Sequence, residues 1–559
     1  MKRNVKILDG KKFDVVIVGA GIHGATIALE VAKAGLSVAL LEKGDFGHST
    51  SANSLKIVHG GIRYLQHGDF KRMRESILSR RSMMQFAPHL VKPLACLMPT
   101  YGHGIKGHEM MRLAFGMYDL VAWDKNVGIS PENSLSLGKS IDTTEVKWAV
   151  PGVSEEGLTG GAVWYDALAE NTERLILEYV KEAVRYGAVA VNYTEVVDIE
   201  TDNAKVVGIV AEDTLNDDGT IRISCDRVIN AAGPWLATLV GRNSALGLQQ
   251  WASAVNIVVK KQLFKKYAVG LEGYTDFIDK DAIIKRGKRL FFFVPWREKY
   301  TMVGTTYKPY KGKADELSLS RKELQEFLDD INKVYPAGKL LLDDVSFYHV
   351  GLLPMDEANN SQQDSVQLDK SSRIIDHSRT EQIEGFYSIK GVKYTTAPAI
   401  AQDMVKIIQK KDVHKKRSRG SYATTKPLNV DHGPIIRKLG DEFQVIKHHL
   451  KRTYGSDWRS VVAYLVKMGD GVLDAPLWLS VDPPMLEAEL LYFIYDEMAI
   501  TLSDVILRRS NIGAAEEPEE TILKRIADVM ARELDWSEDD KHAQLTRVRQ
   551  FFAPLKSEN

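Results

Sequence analysis

The ten residues "KIVHGGIRYL" (56–65) set Lys56, His59, Arg63 and Tyr64 around two adjacent glycines, Gly60 and Gly61. An ammonium, a titratable ring, a planar guanidinium and a phenol beside bare backbone suit a site that holds an anion and moves a proton. A second glycine turn, "VGAGIHG", places Gly19, Gly21 and Gly24 at G-x-G-x-x-G spacing. The first glycine permits the tight turn, the second admits a pyrophosphate to the backbone, and the third lets a helix pack on its strand. Glu42 closes the next apolar run, "SVALLEK", where a carboxylate can accept hydrogen bonds from a ribose. FAD and NAD share this fingerprint. A third stretch, "IKGVKYTTAPAIAQDMV" (389–405), joins a glycine turn to Lys393, with Thr395 and Thr396 as candidate N-caps and Pro398 in the first helical turn. The positive end of such a helix suits the negative charge of a reduced flavin ring.

These residues require a scaffold. Residues 13–46 read as a βαβ unit: a β-branched run, the glycine turn, an apolar-periodic helix and a second strand. Helix and strand patterns alternate onward through "RISCDRVINAAG", which predicts an α/β fold with a central sheet, a Rossmann-type FAD-binding domain. From about Leu246 the runs "ASAVNIVVKK", "RLFFFVPW" and "KYTMVGTTY" predict an inserted sheet-rich substrate domain. "KKDVHKKRSRG" (410–420) carries six basic residues and reads as a linker, followed by apolar residues at helical spacing. The expected division is a discontinuous cofactor domain (1–100, 160–245 and 346–412), a substrate domain (101–159 and 246–345) and an all-helical C-terminal domain (421–559).

At 559 residues the chain is too long for one core. Its 74 basic and 74 acidic residues balance, which argues against a nucleic-acid partner. Cys96 and Cys225 share no metal-ligand or redox spacing, so no metal site is expected and a reducing cytoplasm is. No secretory signal and no long uncharged apolar run is read, leaving peripheral contact with the inner face of a membrane as the alternative to a freely cytoplasmic protein. "HEMMRLAFGMYDLVAW" (108–123) would bring Met110, Leu113, Met117 and Leu120 onto one stripe for such contact.

Several stretches agree with one family. "STSANSLKIVHGGIRYL", "VINAAGPW", "GVKYTT" and "RTYGS", together with the βαβ unit, resemble FAD-dependent glycerol-3-phosphate dehydrogenases and the related glycerophosphate oxidases over nearly the whole chain. The resemblance implies FAD, a small-molecule substrate, and a quinone or other electron acceptor. By position it implies Thr50, Ser51, Ser54 and Lys56 along the flavin, Lys43 with Glu42 and Val196 toward the adenosine, Ala232 and Gly233 near the pyrophosphate, and Gly391, Lys393, Tyr394 and Thr395 by the ring. It implies Arg63, Tyr64, Lys393 and Arg373 as substrate contacts, with Asn256 at a further substrate-binding position. Two positions depart from it. Leu353 in "GLLP" replaces an arginine of "GVRP" expected to hold the substrate phosphate, and Asn256 in "SAVN" replaces a histidine.

The implied reaction is oxidation of the secondary alcohol of glycerol 3-phosphate, or of a related glycerol-phosphate-like compound, by hydride transfer to flavin. It needs a base for the hydroxyl proton. With Asn256 unable to serve, the candidates are His349, which shares a strand face with Gly351 and Leu353 by period two, and His59. The alternatives are a different polyol, a substituted phosphate, or a flavin-binding module without catalysis.

Overall fold

The run Val15–Val18 lies in the middle of a six-stranded sheet in the computed structural model, with all four residues buried. It is apolar on both faces because both are covered. Val15 and Ile17 join the core that holds the helix Ile22–Lys33, whereas Val16 and Val18 pack toward a four-stranded layer that includes Thr194–Asp202 and Lys205–Asp213. Across the sheet the order is Arg373–Asp376, Phe386–Lys390, Val228–Asn230, Val15–Val18, Val38–Leu41 and Val189–Val191, parallel except for the first strand. The βαβ unit read from residues 13–46 is therefore the centre of the cofactor half. The structure describes residues 1–102, 108–216, 219–240, 246, 249–278, 286–356, 366–411, 433–468 and 477–556. The basic linker falls outside the described residues beyond Lys411.

A nine-stranded sheet forms the second body. Trp251–Val259 pairs antiparallel with Val345–Pro354 on one side and Tyr300–Tyr310 on the other. Its farther strands, Val91–Tyr101, Leu158–Ala169 and Ile57–Val58, come from segments of chain around the cofactor half. Alternation along Trp251–Val259 sorts the side chains: Ile257 and Val259 enter a core closed by the helix Arg321–Val334, and Val258 faces the C-terminal layer. That layer is helical, with Glu442–Tyr454, Trp458–Met468, Glu487–Asp496, Glu520–Leu534 and Glu538–Phe552, and carries one short hairpin at Trp478–Val481 and Pro484–Leu486. Observed and expected fold agree in class: mixed α/β with a cofactor domain, a sheet-rich body and a helical C-terminal layer.

Candidate active site

The glycine turn after Val18 shows why its residues are small. Gly19 has φ +93°, and a Cβ there would meet the Ala231 carbonyl oxygen at 2.8 Å; a Cβ on Gly24 would meet the Gly19 carbonyl oxygen at 1.8 Å. The helix Ile22–Lys33 thus starts hard against its strand. Gly21 is its N-cap and supplies no side-chain hydrogen bond; the Ile22 amide instead donates to Ser51 Oγ at 3.1 Å. Glu42 accepts from the Ala20 amide (2.7 Å) and the Gly44 amide (3.0 Å), so it shapes the turn while its carboxylate lines the cavity.

One cavity runs from this turn to the nine-stranded sheet. Its lining includes Gly19, Gly21, Glu42, Lys43, Val196, Ala232 and Gly233 at one end, and Thr50, Ser51, Ser54, Lys56, Gly391, Lys393 and Tyr394 further along. Gly24 and Thr395 support rather than line it: Thr395 Oγ1 accepts the His59 amide at 3.2 Å. Thr50 Oγ1 bridges the Leu352 amide and carbonyl, pinning the loop to strand Val345–Pro354. Lys43 pairs with Asp315 (2.8 Å) and lies over the Trp235 ring. The Lys56 ammonium turns away, into a buried pair with Glu173 (3.0 Å), leaving its backbone at φ +60° beside the cavity.

The opening motif is packed more tightly than a surface turn. A Cβ on Gly60 would fall 2.1 Å from the Tyr118 hydroxyl and 2.2 Å from Arg80 Nη1. Both partners are buried, and Asp166 collects the surrounding donors: the Gly60 amide (2.5 Å), Arg80 Nη1 (2.7 Å) and Trp164 Nε1 (3.1 Å). His59 Nδ1 lies 3.5 Å from the same carboxylate, and its side chain is 54% exposed at the cavity wall. Burial opposes the charge on Asp166, but His59, Arg80 and the Gly60 amide outweigh it and hold the carboxyl down to about 2.

Arg63 and Tyr64 follow on the turn Ile62–His67, next to the cavity lining rather than in it. The Tyr64 ring centre is 4.4 Å from Lys393 Nζ. Burial, and then the Arg63 guanidinium, draw the Lys393 ammonium down to about 8. Asn256 and Leu353 line the opposite wall with Thr305 and Tyr307; Asn256 Oδ1 accepts from Thr305 Oγ1 at 2.6 Å. Two expected residues stand elsewhere. Arg373 is on an edge strand with its guanidinium on Asp369 (2.9 Å), outside the cavity lining. His349 is opposite Asn256 in the sheet and on the same face, but it is buried outside the cavity lining; its ring is 5.0 Å from that of Phe347, and among the described residues Nε2 has no hydrogen-bond partner. Burial, then Lys56 and Arg297, keep it well below the ordinary histidine range, and hence neutral.

Sequence reading missed Asp166, Arg80 and Tyr118. Asp166 alone carried a signal, a charge within the apolar run "GAVWYDALA", and it names no partner. It also missed His23, inside the glycine motif, which burial holds down to about 4 and whose ring would clash with any Cβ on Gly391 at 2.6 Å.

A glycine cradle at a helix N-terminus whose N-cap residue carries no side chain, a carboxylate at the end of the next strand and an elongated cavity reaching a second glycine turn fit FAD. Fold and site together define a flavoprotein oxidoreductase. The chain belongs to the FAD dependent oxidoreductase family, which matches residues 14–407, and residues 434–541 match the C-terminal domain of alpha-glycerophosphate oxidase. It is similar to a glycerol-3-phosphate dehydrogenase of Synechocystis (26% identical, covering 98% of each chain) and to an alpha-glycerophosphate oxidase of Streptococcus pyogenes (26%; 97% of this chain, 95% of that one). Among solved structures, the glycerol-3-phosphate dehydrogenase from Bacillus halodurans complexed with FAD shares the fold at a TM-score of 0.71, with 24% identity and 99% and 98% coverage.

Proposed function

We propose that the protein oxidises the secondary alcohol of glycerol 3-phosphate, with the phosphate bound beside Lys393 and Arg63 and the hydroxyl proton taken by His59. The observation that carries this is the convergence of Lys393, Tyr64 and Arg63 next to the His59–Asp166 pair, at the glycine turn where the cavity meets the sheet. When bound, FAD supplies the two-electron acceptor. The protein's own part is to orient and to move one proton. Asp166 stays ionised and faces His59 Nδ1, so it stabilises the positive charge that the ring gains when Nε2 takes the proton. Arg80 and the Gly60 amide fix Asp166 in turn. Lys393 and Arg63 hold the phosphate as charge-assisted donors.

Leu353 leaves the opposite wall without the arginine. This favours a second reading in which the phosphate carries an apolar or bulky ester substituent. Anaerobic bleaching of the bound flavin with glycerol 3-phosphate, a glycerophosphodiester and glycerol separates the readings. Fast bleaching by glycerol 3-phosphate, slowed at least about a hundredfold in His59→Asn, is expected. Preference for the diester would favour the second reading, and no bleaching by any of the three would identify a flavin-binding module.

Further parts of the reading concern partners. We propose electron delivery to a quinone at the inner face of a membrane, supported by Leu120 and Trp123, which are 76% and 77% exposed. No helix among the described residues is long and apolar enough to cross a membrane. A cytoplasmic setting is supported by Cys96 and Cys225, both buried free thiols.

A further inference from the structure

A second cleft opens at the seam between the sheet-rich body and the C-terminal helices, lined by His89, Lys92, Glu170, His448, Lys451 and Arg452. Three permanent cations and two imidazoles face one carboxylate, and no apolar side chain is among the lining residues. The arrangement is built rather than incidental. His89 leads into strand Val91–Tyr101, on which Lys92 stands, Glu170 follows strand Leu158–Ala169, and the Glu170 amide donates to the Leu90 carbonyl at 3.0 Å, which fixes the two segments together. His448, Lys451 and Arg452 stand three and four residues apart on helix Glu442–Tyr454, on one face. Gly455 ends that helix at φ +54°, and a Cβ there would meet the His89 ring at 2.7 Å. A bare position here lets the His89 ring seat under the helix end.

The charges in the cleft do not cancel. Arg452 reaches Glu170 at only 3.7 Å, and Lys92 makes a long contact, 3.4 Å to Asn133 Oδ1, with the exposed Glu132 carboxylate further off in its field. His89 Nε2 is buried without a hydrogen-bond partner among the described residues. Lys92, Lys451 and Arg452 against Glu170 leave a surplus of two positive charges, held together with donors to spare. We propose that this cleft binds a phosphate group, the dianion of a phosphomonoester or of a lipid headgroup, separately from the active site. Two surplus positive charges match a dianion, and lysine with arginine supplies the point charge and the planar fork that phosphate oxygens take up. Because its ligands come from both bodies, an occupant would brace the seam.

The test uses the FAD-loaded full chain and titrates inorganic phosphate by calorimetry, in the parent protein, in Arg63→Gln, and in Lys451→Gln/Arg452→Gln. Arg63→Gln weakens any phosphate binding in the active site and is expected to keep a site with a Kd on the order of 1 mM or tighter. Lys451→Gln/Arg452→Gln is expected to weaken that site by about tenfold per lost charged contact, with the substrate-driven rate of flavin reduction unchanged. A parallel arm sediments the parent and the double variant with phosphatidic acid or phosphatidylcholine vesicles. Variant-sensitive capture by phosphatidic acid would assign the phosphate to a lipid, and variant-sensitive phosphate binding without it would assign it to a soluble ester. If neither phosphate nor phosphatidic acid binding responds to Lys451→Gln/Arg452→Gln, the proposal fails.

Discussion

Lys393 sets the most direct pH dependence of the site. Burial and the neighbouring Arg63 draw its ammonium down to about 8, so the positive form is present below that pH and is lost as pH rises through it. A phosphate dianion binds the charged form better, whereas an uncharged alcohol gains little from it. The expected profile is therefore a one-proton fall in kcat/KM for glycerol 3-phosphate above about pH 8, with no matching step for glycerol. Lys393→Gln should lower the plateau and remove the step. A step that survives in Lys393→Gln would assign the titration to another group. Around it, Gly60 shows how a single bare position shapes the site. Only a hydrogen at its Cα lets Arg80 and Tyr118 close on the backbone, and that closure holds Asp166 where it faces His59.

The loop after strand Val38–Leu41 depends on an element far along the chain. Asp45 lies three residues past Glu42, fully buried, and accepts from Arg508 Nε (2.5 Å), from Arg509 Nη1 and Nη2 (2.7 Å each) and from Asn192 Nδ2 (3.0 Å). Glu497 does the same for Arg174 (2.5 Å), so two buried ion clusters bolt the cofactor half to the helical layer. Removing one partner of such a cluster leaves uncompensated buried charge, at a cost of about 3–5 kcal/mol. Asp45→Asn is thus expected to lower the melting temperature and to speed FAD dissociation, because the same loop carries Glu42. Stopped-flow release of FAD fluorescence measures the second effect, and an unchanged release rate would show that the loop holds its shape without the bolt. Local sequence revealed the cradle since its glycines, strand and acid lie within thirty residues of one another. It did not reveal Asp45, Asp166 or Arg80, whose partners are dozens to hundreds of residues away. Period two did place His349, Gly351 and Leu353 on one strand face, but it could not show that the His349 side chain is buried outside the cavity lining, beside Phe347, against which Phe551 and Phe552 pack.

At the scale of the molecule, the expected domains share interiors. Ile57, Leu94, Trp164, Val258 and Phe347 of the nine-stranded sheet lie in one core with Phe443, Leu465, Phe493 and Val548 of the C-terminal helices. Strand pairing between distant segments builds that sheet, and no spacing rule in the sequence reports which segments will pair. The helix His108–Val121 joins this body to the outside. Tyr118 and Ala122 bury against Met73 and Ile77, and the Tyr118 hydroxyl donates to the Gly60 carbonyl at 3.3 Å. Met117 and Leu120 of the expected stripe, with Trp123 just beyond the helix, face outward at 41%, 76% and 77% exposure. An exposed leucine and tryptophan three residues apart suit insertion into a lipid interface, each contributing about 1.5–3 kcal/mol when buried. Leu120→Glu/Trp123→Glu is therefore expected to reduce co-sedimentation with anionic vesicles by a hundredfold or more in partition coefficient, on the order of the two contributions combined. Substrate-driven flavin reduction should persist, since neither residue lines the cavity, while reoxidation by membrane-embedded quinone should slow in proportion to the lost binding. Equal sedimentation of variant and parent would remove this helix as the contact, and slow reoxidation without lost sedimentation would place its effect on electron delivery alone.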